Sequence, residues 1–385
     1  MNNGFSGNIA KGFLQSKLTI LLMIGFLLIG GYSTFLIPRE EEPQIKVPMA
    51  DIFIGYPGAE PKDVETKVTT PLEKIISNVK GVEYVYSTSM QGQAMLIVQF
   101  HVGEDIERSL VKLYSELMKN MDKMPHGVTF PLIKTRAIDD VPVLGITLWS
   151  EKYDDYELKQ IGQTLTNEIK KITDVSDINI LGGRSREIKV LLDKGKMEET
   201  HTDFLSVARQ IEGSNVQKRG GNLLQQDTAF SVETGNFLTT ADEVANLVVG
   251  IYKEQPVYLK QIAKVEEGPE TSDQYVLFGY GRADTLKANE FKSDYPAITL
   301  SVAKRKGTDA MKLSEQIISK INHLKKELLP DEVKMTVSRN YGETASDKVS
   351  ELLFHLFISI VVVTLFVMLA MGWRGGLVVF LSVPV

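Results

Sequence analysis

Two long apolar runs, one near each end of the chain, most constrain what this sequence can fold into. The first, Leu18–Ile37, contains no charged residue, and the second, Leu352–Met371, contains one ionisable residue, His355. A helix needs about 20 such residues to cross the hydrocarbon core of a bilayer. We therefore expect two transmembrane helices, and we expect the shorter apolar run Leu377–Val385 to be a truncated third one.

The charges around the first apolar run predict its orientation. Lys11 and Lys17 precede the run, and the acidic stretch 40–42 follows it. Because cytoplasmic flanks are enriched in Lys and Arg, we expect the N-terminus in the cytoplasm and residues 38–350 on the outer side. A cleaved signal peptide is the alternative, but the run exceeds a typical core of about 7–15 residues and no small-x-small cleavage site follows.

Several kinds of chemistry have no signal in this sequence. There is no cysteine, and a formal charge of −6 argues against nucleic acid as a partner. The stretch "DKGKM" lacks the spacing of a phosphate-binding loop, and none of the five histidines has an i, i+4 partner. We therefore expect that ATP is not the energy source, and we expect no cofactor and no metal. A proton relay needs an ionisable group at membrane depth, and His355, near the edge of its run, is expected to snorkel.

Between the two apolar runs, a pattern of strands and helices occurs twice. In the first copy, helical stripes over Glu60–Asn78 and Glu104–Met121 alternate with the strands "IKVPMADIFIGYPG", "GVEYVYSTS" and "AMLIVQF". In the second, "PVLGITLWS" precedes a helix over Tyr153–Ile172, and "YPAITLSVAKRKG" precedes one over Asp309–Leu328. The joins "EKIISNVKGVEYV" and "NEIKKITDVSDINI" match, which indicates two ferredoxin-like α+β subdomains. An insert, residues 186–267, is expected to form a smaller domain.

Alternation along the strands predicts which face of each sheet the helices cover. The covered faces are apolar and consist of Ile52, Ile54, Leu96, Val98, Phe100, Leu144, Ile146, Leu148, Ile178 and Ile180. The opposite, open faces are mixed and consist of Asp51, Phe53, Met95, Ile97 and Gln99 in the first copy and Val143, Thr147, Trp149, Asn179, Leu181, Thr299 and Ser301 in the second. Such a mixture suits a cleft for amphiphilic ligands. The alternative is that these faces only pack on neighbouring subdomains.

Several stretches carry a resemblance to a known family. They are "YPGAEPKDVETKVTTPLEKIISNVKGVEYVYSTS", "GVEYVYSTSMQGQAMLIVQFHVGED", "VSDINILGG", "LKQIAKVEEGPE" and "ITLSVAKRKGTDAMKLSEQI". The closing "LAMGWRGGLVVFLSVPV" is similar to the family's junction between the second and third membrane helices. On these residues, essentially the whole chain resembles the N-terminal part of resistance–nodulation–division (RND) transporters of the acriflavine-resistance (AcrB-like) type.

The resemblance implies an α+β membrane protein that is a transporter and not an enzyme. It implies a multi-pass, inner-membrane proton antiporter that works as a homotrimer among membrane lipids. It also implies a tripartite assembly with a periplasmic adaptor (membrane fusion) protein and an outer-membrane channel, which exports drugs or other amphiphilic small molecules. The two repeated units look like the family's porter subdomains, and the insert looks like its docking subdomain.

The expected layout follows from the pattern and the resemblance together. Its parts are a cytoplasmic N-terminus (1–17), a transmembrane helix (18–37), the first porter subdomain (38–135), the second porter subdomain (136–185 and 268–335), the docking subdomain (186–267), a transmembrane helix (350–371) and the truncated third helix (377–385).

The resemblance also implies substrate-binding positions where the motifs align. They are Phe53, Met95 and Ile97 in the first porter subdomain, and Asp140, Asn179, Leu181, Thr271 and Gln274 in the second. Many multidrug members have an aromatic residue at the position of Asp140, so Asp140 and Leu181 predict a less aromatic pocket than that of the best-known drug pumps. The loop "VQKRGGNLLQQDTAF" is shorter than the family's intersubunit arm, which predicts weaker or different trimer contacts.

The family's paired aspartates lie on a fourth membrane helix, so we expect a fragment or truncated product that does not pump by itself. Three alternatives stay open. A membrane-anchored sensor domain is disfavoured by the tight loop "MGWRGG" before a third apolar run. A heavy-metal exporter of the same superfamily would place methionines on the open faces, where the sequence offers Met95 and Met49. A protein-translocation accessory of that superfamily would have a different extracytoplasmic organisation.

Overall fold

An apolar helix lies near the N-terminal end of the described residues. The computed structural model describes residues 13, 16–40, 47–136, 140–225, 228–235, 237–272, 274–284 and 294–383. Helix α1 (Lys17–Leu36) exposes most of its apolar side chains, including Leu21 and Leu28. Exposed apolar side chains around a helix are typical of a segment that faces lipid or other protein.

A four-stranded antiparallel sheet follows α1, in the order β2-β3-β1-β4. Its strands are β1 (Met49–Gly55), β2 (Val82–Met90), β3 (Gln93–Phe100) and β4 (Leu132–Arg136). The helices that cover one of its faces are α2 (Pro61–Val64), α3 (Thr70–Ser77) and α4 (Ile106–Lys119). The alternating apolar residues of β1 and β3 pack there against Leu72, Ile76 and Leu113.

The sequence predicts one helix over Glu60–Asn78, but a π-helical turn (Glu65–Thr69) separates α2 from α3. Pro71 explains the difference, because proline has no N–H to donate and its ring clashes with the carbonyl four residues earlier. A π turn relieves this clash and still leaves Val68 and Leu72 buried.

The next elements are β5 (Pro142–Ser150), α5 (Asp155–Ile169) and β6 (Val175–Leu181). Helix α5 begins at Asp155 because a capping box precedes it. The Asp154 carboxylate accepts from the backbone N–H of Glu157 at 2.9 Å, and the Glu157 carboxylate accepts from that of Asp154 at 3.1 Å. These two bonds satisfy donors that the first helical turn leaves free.

A smaller unit is inserted after β6 and has its own core, which includes Val207, Val249, Leu259 and Ile262. Its elements are β7 (Arg186–Leu192), α6 (Lys194–Glu199), α7 (Phe204–Ser214), β8 (Lys218–Gln225), β9 (Thr228–Thr234), α8 (Ala241–Ala245), β10 (Val248–Tyr252), β11 (Gln255–Tyr258), α9 (Leu259–Ile262) and β12 (Ala263–Pro269). Antiparallel pairs form between β7 and β12, β8 and β9, and β10 and β11. Strand β7 is the first element after β6, and β12 is the last element before the chain returns to the second sheet. The β7–β12 pair is therefore where the inserted unit joins the rest of the fold.

The chain then returns to the second sheet. The returning elements are β13 (Leu277–Phe278), β14 (Tyr295–Lys304), α10 (Ala310–Leu328) and β15 (Val333–Asn340). The sheet has the order β13-β14-β5-β15, and β6 lies end to end with β13 along the same edge of β14. Helices α5 and α10 pack on one face, where Leu144, Ile146 and Leu300 are fully buried.

Two helices complete the described chain. Helix α11 (Tyr341–Met371) begins where the Asn340 side chain accepts from the backbone N–H of Glu343. Gly372, whose φ of +82° favours glycine, separates α11 from α12 (Trp373–Ser382). Among the described residues, α11 is the one helix long and apolar enough to cross a membrane, and the apolar segment Thr19–Thr34 is shorter.

Candidate ligand-binding site

Three of the expected substrate-binding residues share one face of the first sheet. Phe53 on β1 lies directly opposite Met95 on β3, and Ile97 lies opposite Asp51. Phe53, Met95 and Ile97 are half-buried, and the helices cover the other face. We call this surface the first open face and define it by Asp51, Phe53, Met95, Ile97 and Gln99, together with the β4 side chains Leu132, Lys134 and Arg136.

Two more expected residues share a face of the second sheet. Asn179 and Leu181 on β6 lie opposite Ser301 and Thr299 on β14, and half of the Leu181 side chain (51%) is exposed. Next to them, the hydroxyl of Thr147 lies 2.9 Å from that of Thr299. The face therefore places an exposed aliphatic side chain beside a row of hydroxyl groups.

An aromatic cluster covers the end of this second face. The Trp149 ring is fully buried, because it stacks on Phe278 at 4.8 Å and on Tyr295 at 5.0 Å between ring centroids. Tyr280 meets both Trp149 and Phe278 edge to face. The expectation that Trp149 lines an open surface is therefore wrong. The aromatic spacing in "VLFGYG" is the sequence signal for this cluster.

Thr271 lines a cleft of about 910 Å³ beside the β7–β12 pair. Its other lining residues are Asp154, Asp155, Arg184, Lys189, Glu266, Glu267, Gly268, Pro269, Glu270, Ser272, Tyr275, Val276, Leu277 and Pro296. Gln274 does not line it; its backbone carbonyl accepts a hydrogen bond from the Ser272 hydroxyl at 2.7 Å. Asp140 is exposed just before β5. The expected residues are thus divided between two sheet faces and this cleft.

Ion pairs and a hydrogen bond hold the two connections that border the cleft. Arg184 donates from Nη2 to Oδ1 of Asp155 at 2.6 Å and to Oδ2 of Asp154 at 3.1 Å. Its hydrogen bonds to Asp155 raise the pKa of the Arg184 guanidinium above its usual range. Between the two connections, the backbone N–H of Ser185, just before β7, donates to Oε1 of Glu270, just after β12, at 2.7 Å. Both connections are therefore bonded at the point where the inserted unit joins the sheet.

Acid is expected to break the hydrogen bond between Ser185 and Glu270. Hydrogen bonds from the backbone N–H and then the hydroxyl of Ser185 hold the pKa of Glu270 below its usual range. The ionised Glu270 carboxylate therefore stabilises the fold fully at any pH above the ordinary glutamate pKa of about 4.3. This stabilisation is lost as the pH falls through the lowered pKa of Glu270. We expect hydrogen exchange at the Ser185 amide, corrected for its intrinsic rate, to accelerate in that range.

The matched control for this acid effect is Glu270→Gln, which keeps an acceptor but cannot titrate. In that variant, protection of the Ser185 amide should be lower at neutral pH and should no longer change with acid. Equal pH dependence in both proteins would show that another group controls the connection.

No group of three or more His, Cys, Asp and Glu side chains that could hold a metal ion occurs in the part of the chain that the structure describes. The two sheet faces and the cleft offer apolar surface, hydroxyl groups and isolated charges. Amphiphilic molecules bind where apolar surface of this kind lies beside a few polar groups.

Comparison with known proteins identifies the family. The sequence profile of the AcrB/AcrD/AcrF family matches residues 9–385. The chain belongs to this family. The match confirms the RND resemblance that the sequence motifs predict, and an α+β porter-type fold agrees with it.

Curated relatives include three proteins named "Multidrug resistance protein MdtC". The protein from Proteus mirabilis is 25% identical over 342 residues, which cover 88% of this chain and 32% of the relative. Those from Pectobacterium atrosepticum and Yersinia pseudotuberculosis are 25% and 24% identical, over 95% and 97% of this chain and 35% of each relative. The chain therefore spans about a third of the length of these relatives.

Proposed function

We propose that the chain is the N-terminal, substrate-binding portion of an RND-type pump that exports drugs or other amphiphilic compounds across the inner membrane. The observation that carries this proposal is the family match over residues 9–385. The names of the MdtC relatives support multidrug export in particular. The chain is then part of a transporter rather than an enzyme.

The open faces support the substrate-binding role. Amphiphilic molecules bind where apolar surface lies beside a few polar groups, and both faces have this character. We propose that the first open face binds through Phe53, Met95 and Ile97. We propose that substrate also binds to Asn179 and Leu181 on the second sheet, to Thr271 in the cleft, and to Asp140 and Gln274 in the segments beside them.

The energy source and partners belong to the same proposal. The pump is driven by protons, works as a homotrimer in the inner membrane, and delivers substrate through a periplasmic adaptor to an outer-membrane channel. His355 is the one ionisable residue of the apolar part of α11, and its Nε2 lies 3.8 Å from Glu351 at the start of that part. We therefore assign the proton relay to residues outside this chain, and export to the assembled pump rather than to the chain alone.

Accumulation of fluorescent dyes tests this function. The complete reading frame that contains this chain is expressed in an efflux-deficient bacterium, and dye retention is compared with that of cells carrying an empty vector. We expect lower retention, and we expect a protonophore to abolish the difference. Equal retention with and without the protein, at confirmed expression in the membrane, would contradict the proposal.

Leu181→Lys tests the second face within the same assay. The charge replaces an exposed apolar contact, so we expect the relative export of different dyes to change by roughly threefold or more while trimer assembly is unchanged. Leu191→Lys is the matched control, because Leu191 lies on β7 with a similar exposure of 54%. An identical dye profile for wild type and Leu181→Lys would remove Leu181 from the substrate site.

A further inference from the structure

The first open face has an uneven distribution of charge. Its carboxylate, Asp51, is only 6% exposed and accepts a hydrogen bond from Nε of Arg136 at 2.6 Å. Lys134 lies opposite Asp51 on β4, but its ammonium lies over the Phe53 ring, 5.8 Å from the centroid. Two cationic side chains and one carboxylate therefore occupy this face within the described residues, and the carboxylate is already bonded to one of them.

Lys134 is the cation that a ligand can reach. Its side chain is exposed. Among the described residues, the one interaction of its ammonium group is the cation–π contact with the Phe53 ring. Asp51 offers little to a competing cation, because Oδ2 already accepts from Arg136 and Oδ1 is buried away from the surface. A molecule that approaches this face therefore meets positive charge first.

Apolar surface continues from Lys134 across the sheet. Leu132, two residues earlier on β4 and opposite Phe53, is 55% exposed, and Met95 continues the row on β3. Tyr86 on β2, opposite Ile97 and 53% exposed, extends the row to the edge of the sheet. Strands lie about 4.8 Å apart, so this platform is long enough for a ring system or an alkyl chain of several carbons.

We infer that the first open face selects amphiphiles with an anionic head group, a carboxylate, sulfonate or sulfate, and that Lys134 is the residue that recognises it. This inference rests on the proposed function, because it assigns a substrate class to one part of the proposed site. The apolar part of the ligand packs on Phe53, Met95 and Leu132, and its head group accepts a hydrogen bond from the Lys134 ammonium. A cationic head group at the same position meets Lys134 and Arg136, which repel it.

Two matched probes test the head-group preference by binding alone. They are 11-(dansylamino)undecanoic acid and a dansyl chain of the same length that ends in trimethylammonium. Binding to the purified 385-residue chain in lipid nanodiscs is followed by dansyl anisotropy, with the signal of empty nanodiscs subtracted. We expect the acid to bind more tightly, and Lys134→Glu to raise its Kd by about tenfold while the Kd of the trimethylammonium probe stays equal or falls.

Two further variants separate charge recognition from a general effect on folding. Lys134→Arg should keep the acid's affinity within about threefold, since it keeps the charge. Lys119→Glu, on the helix layer with 74% of its side chain exposed, should leave both probes unchanged. Equal affinities of wild type for the two probes, or equal losses for both probes in Lys134→Glu, would overturn the inference. Dye retention in cells reports the proposed function separately, so an active pump without head-group preference is distinguishable from an inactive one.

Discussion

Replacing Lys304 by alanine is expected to lower the free energy of unfolding by about 3–5 kcal/mol. The Lys304 ammonium lies 3.2 Å from Oε1 of Glu40, and only 8% and 14% of the two side chains are exposed. Alanine would remove this cation from a carboxylate that water reaches poorly. Denaturation of the protein in nanodiscs, followed by circular dichroism, measures the change.

An exposed ion pair serves as the matched control for this loss. Lys62 and Glu65 lie 3.0 Å apart with 78% and 52% of their side chains exposed, so Lys62→Ala should cost less than about 1 kcal/mol. Changing both buried partners, Lys304→Met with Glu40→Leu, should restore part of the lost stability, because the two changes remove both members of the pair together. Equal, small losses for Lys304→Ala and Lys62→Ala would show that the Glu40 carboxylate is not held by Lys304.

The Glu40–Lys304 pair attaches the segment after α1 to the second sheet. The first sheet, although it comes next in the sequence, is not the one to which this segment is attached by the pair. Arg39 takes part in the same attachment: Nη1 donates to the Ser346 hydroxyl at 3.1 Å, and its carbonyl accepts from the backbone N–H of Ala310 at 3.2 Å. The end of α1, the start of α10 and the first turns of α11 therefore meet at one junction. We expect a displacement of either apolar helix to reach the second sheet through these bonds.

Local periodicity predicts much of this fold, because the burial of a strand or helix repeats over a few residues. The alternation in "AMLIVQF" correctly places Leu96, Val98 and Phe100 under the helices and Met95 and Ile97 on the other face. Helical periodicity likewise predicts a helix over Asp309–Leu328, and α10 begins one residue later. It begins there because the Asp309 carboxylate accepts from the backbone N–H of Lys312.

Contacts between distant residues are the part that the sequence pattern could not predict. Trp149 follows the strand period, yet it is buried by Phe278 and Tyr295, which lie more than a hundred residues further along the chain. The Glu40–Lys304 pair joins residues that are 264 positions apart in the sequence. The roles of the eight substrate-binding residues also stay predictions, since shared faces bring several of them together without identifying a ligand.

Gly342→Ala is expected to lower the free energy of unfolding by about 3 kcal/mol through overpacking. Gly342 lies in the first turn of α11, and a Cβ there would lie 2.5 Å from the carbonyl oxygen of Ala310 and 2.7 Å from Cα of Met311. Both are backbone atoms of α10, so no side-chain rotation relieves the clash. The two helices must separate, and the loss should be visible in the same denaturation experiment.

The matched control is Gly30→Ala in α1, where an added Cβ would meet no atom within 4 Å. Alanine is the better helix former by about 1 kcal/mol, so this variant should be equal to wild type or slightly more stable. Opposite signs for the two substitutions would establish that the close approach of α10 and α11, and not helix propensity, requires glycine at position 342. If Gly342→Ala were as stable as Gly30→Ala, α11 could move away from α10 without cost, and the junction could not transmit a displacement of α11 to the second sheet.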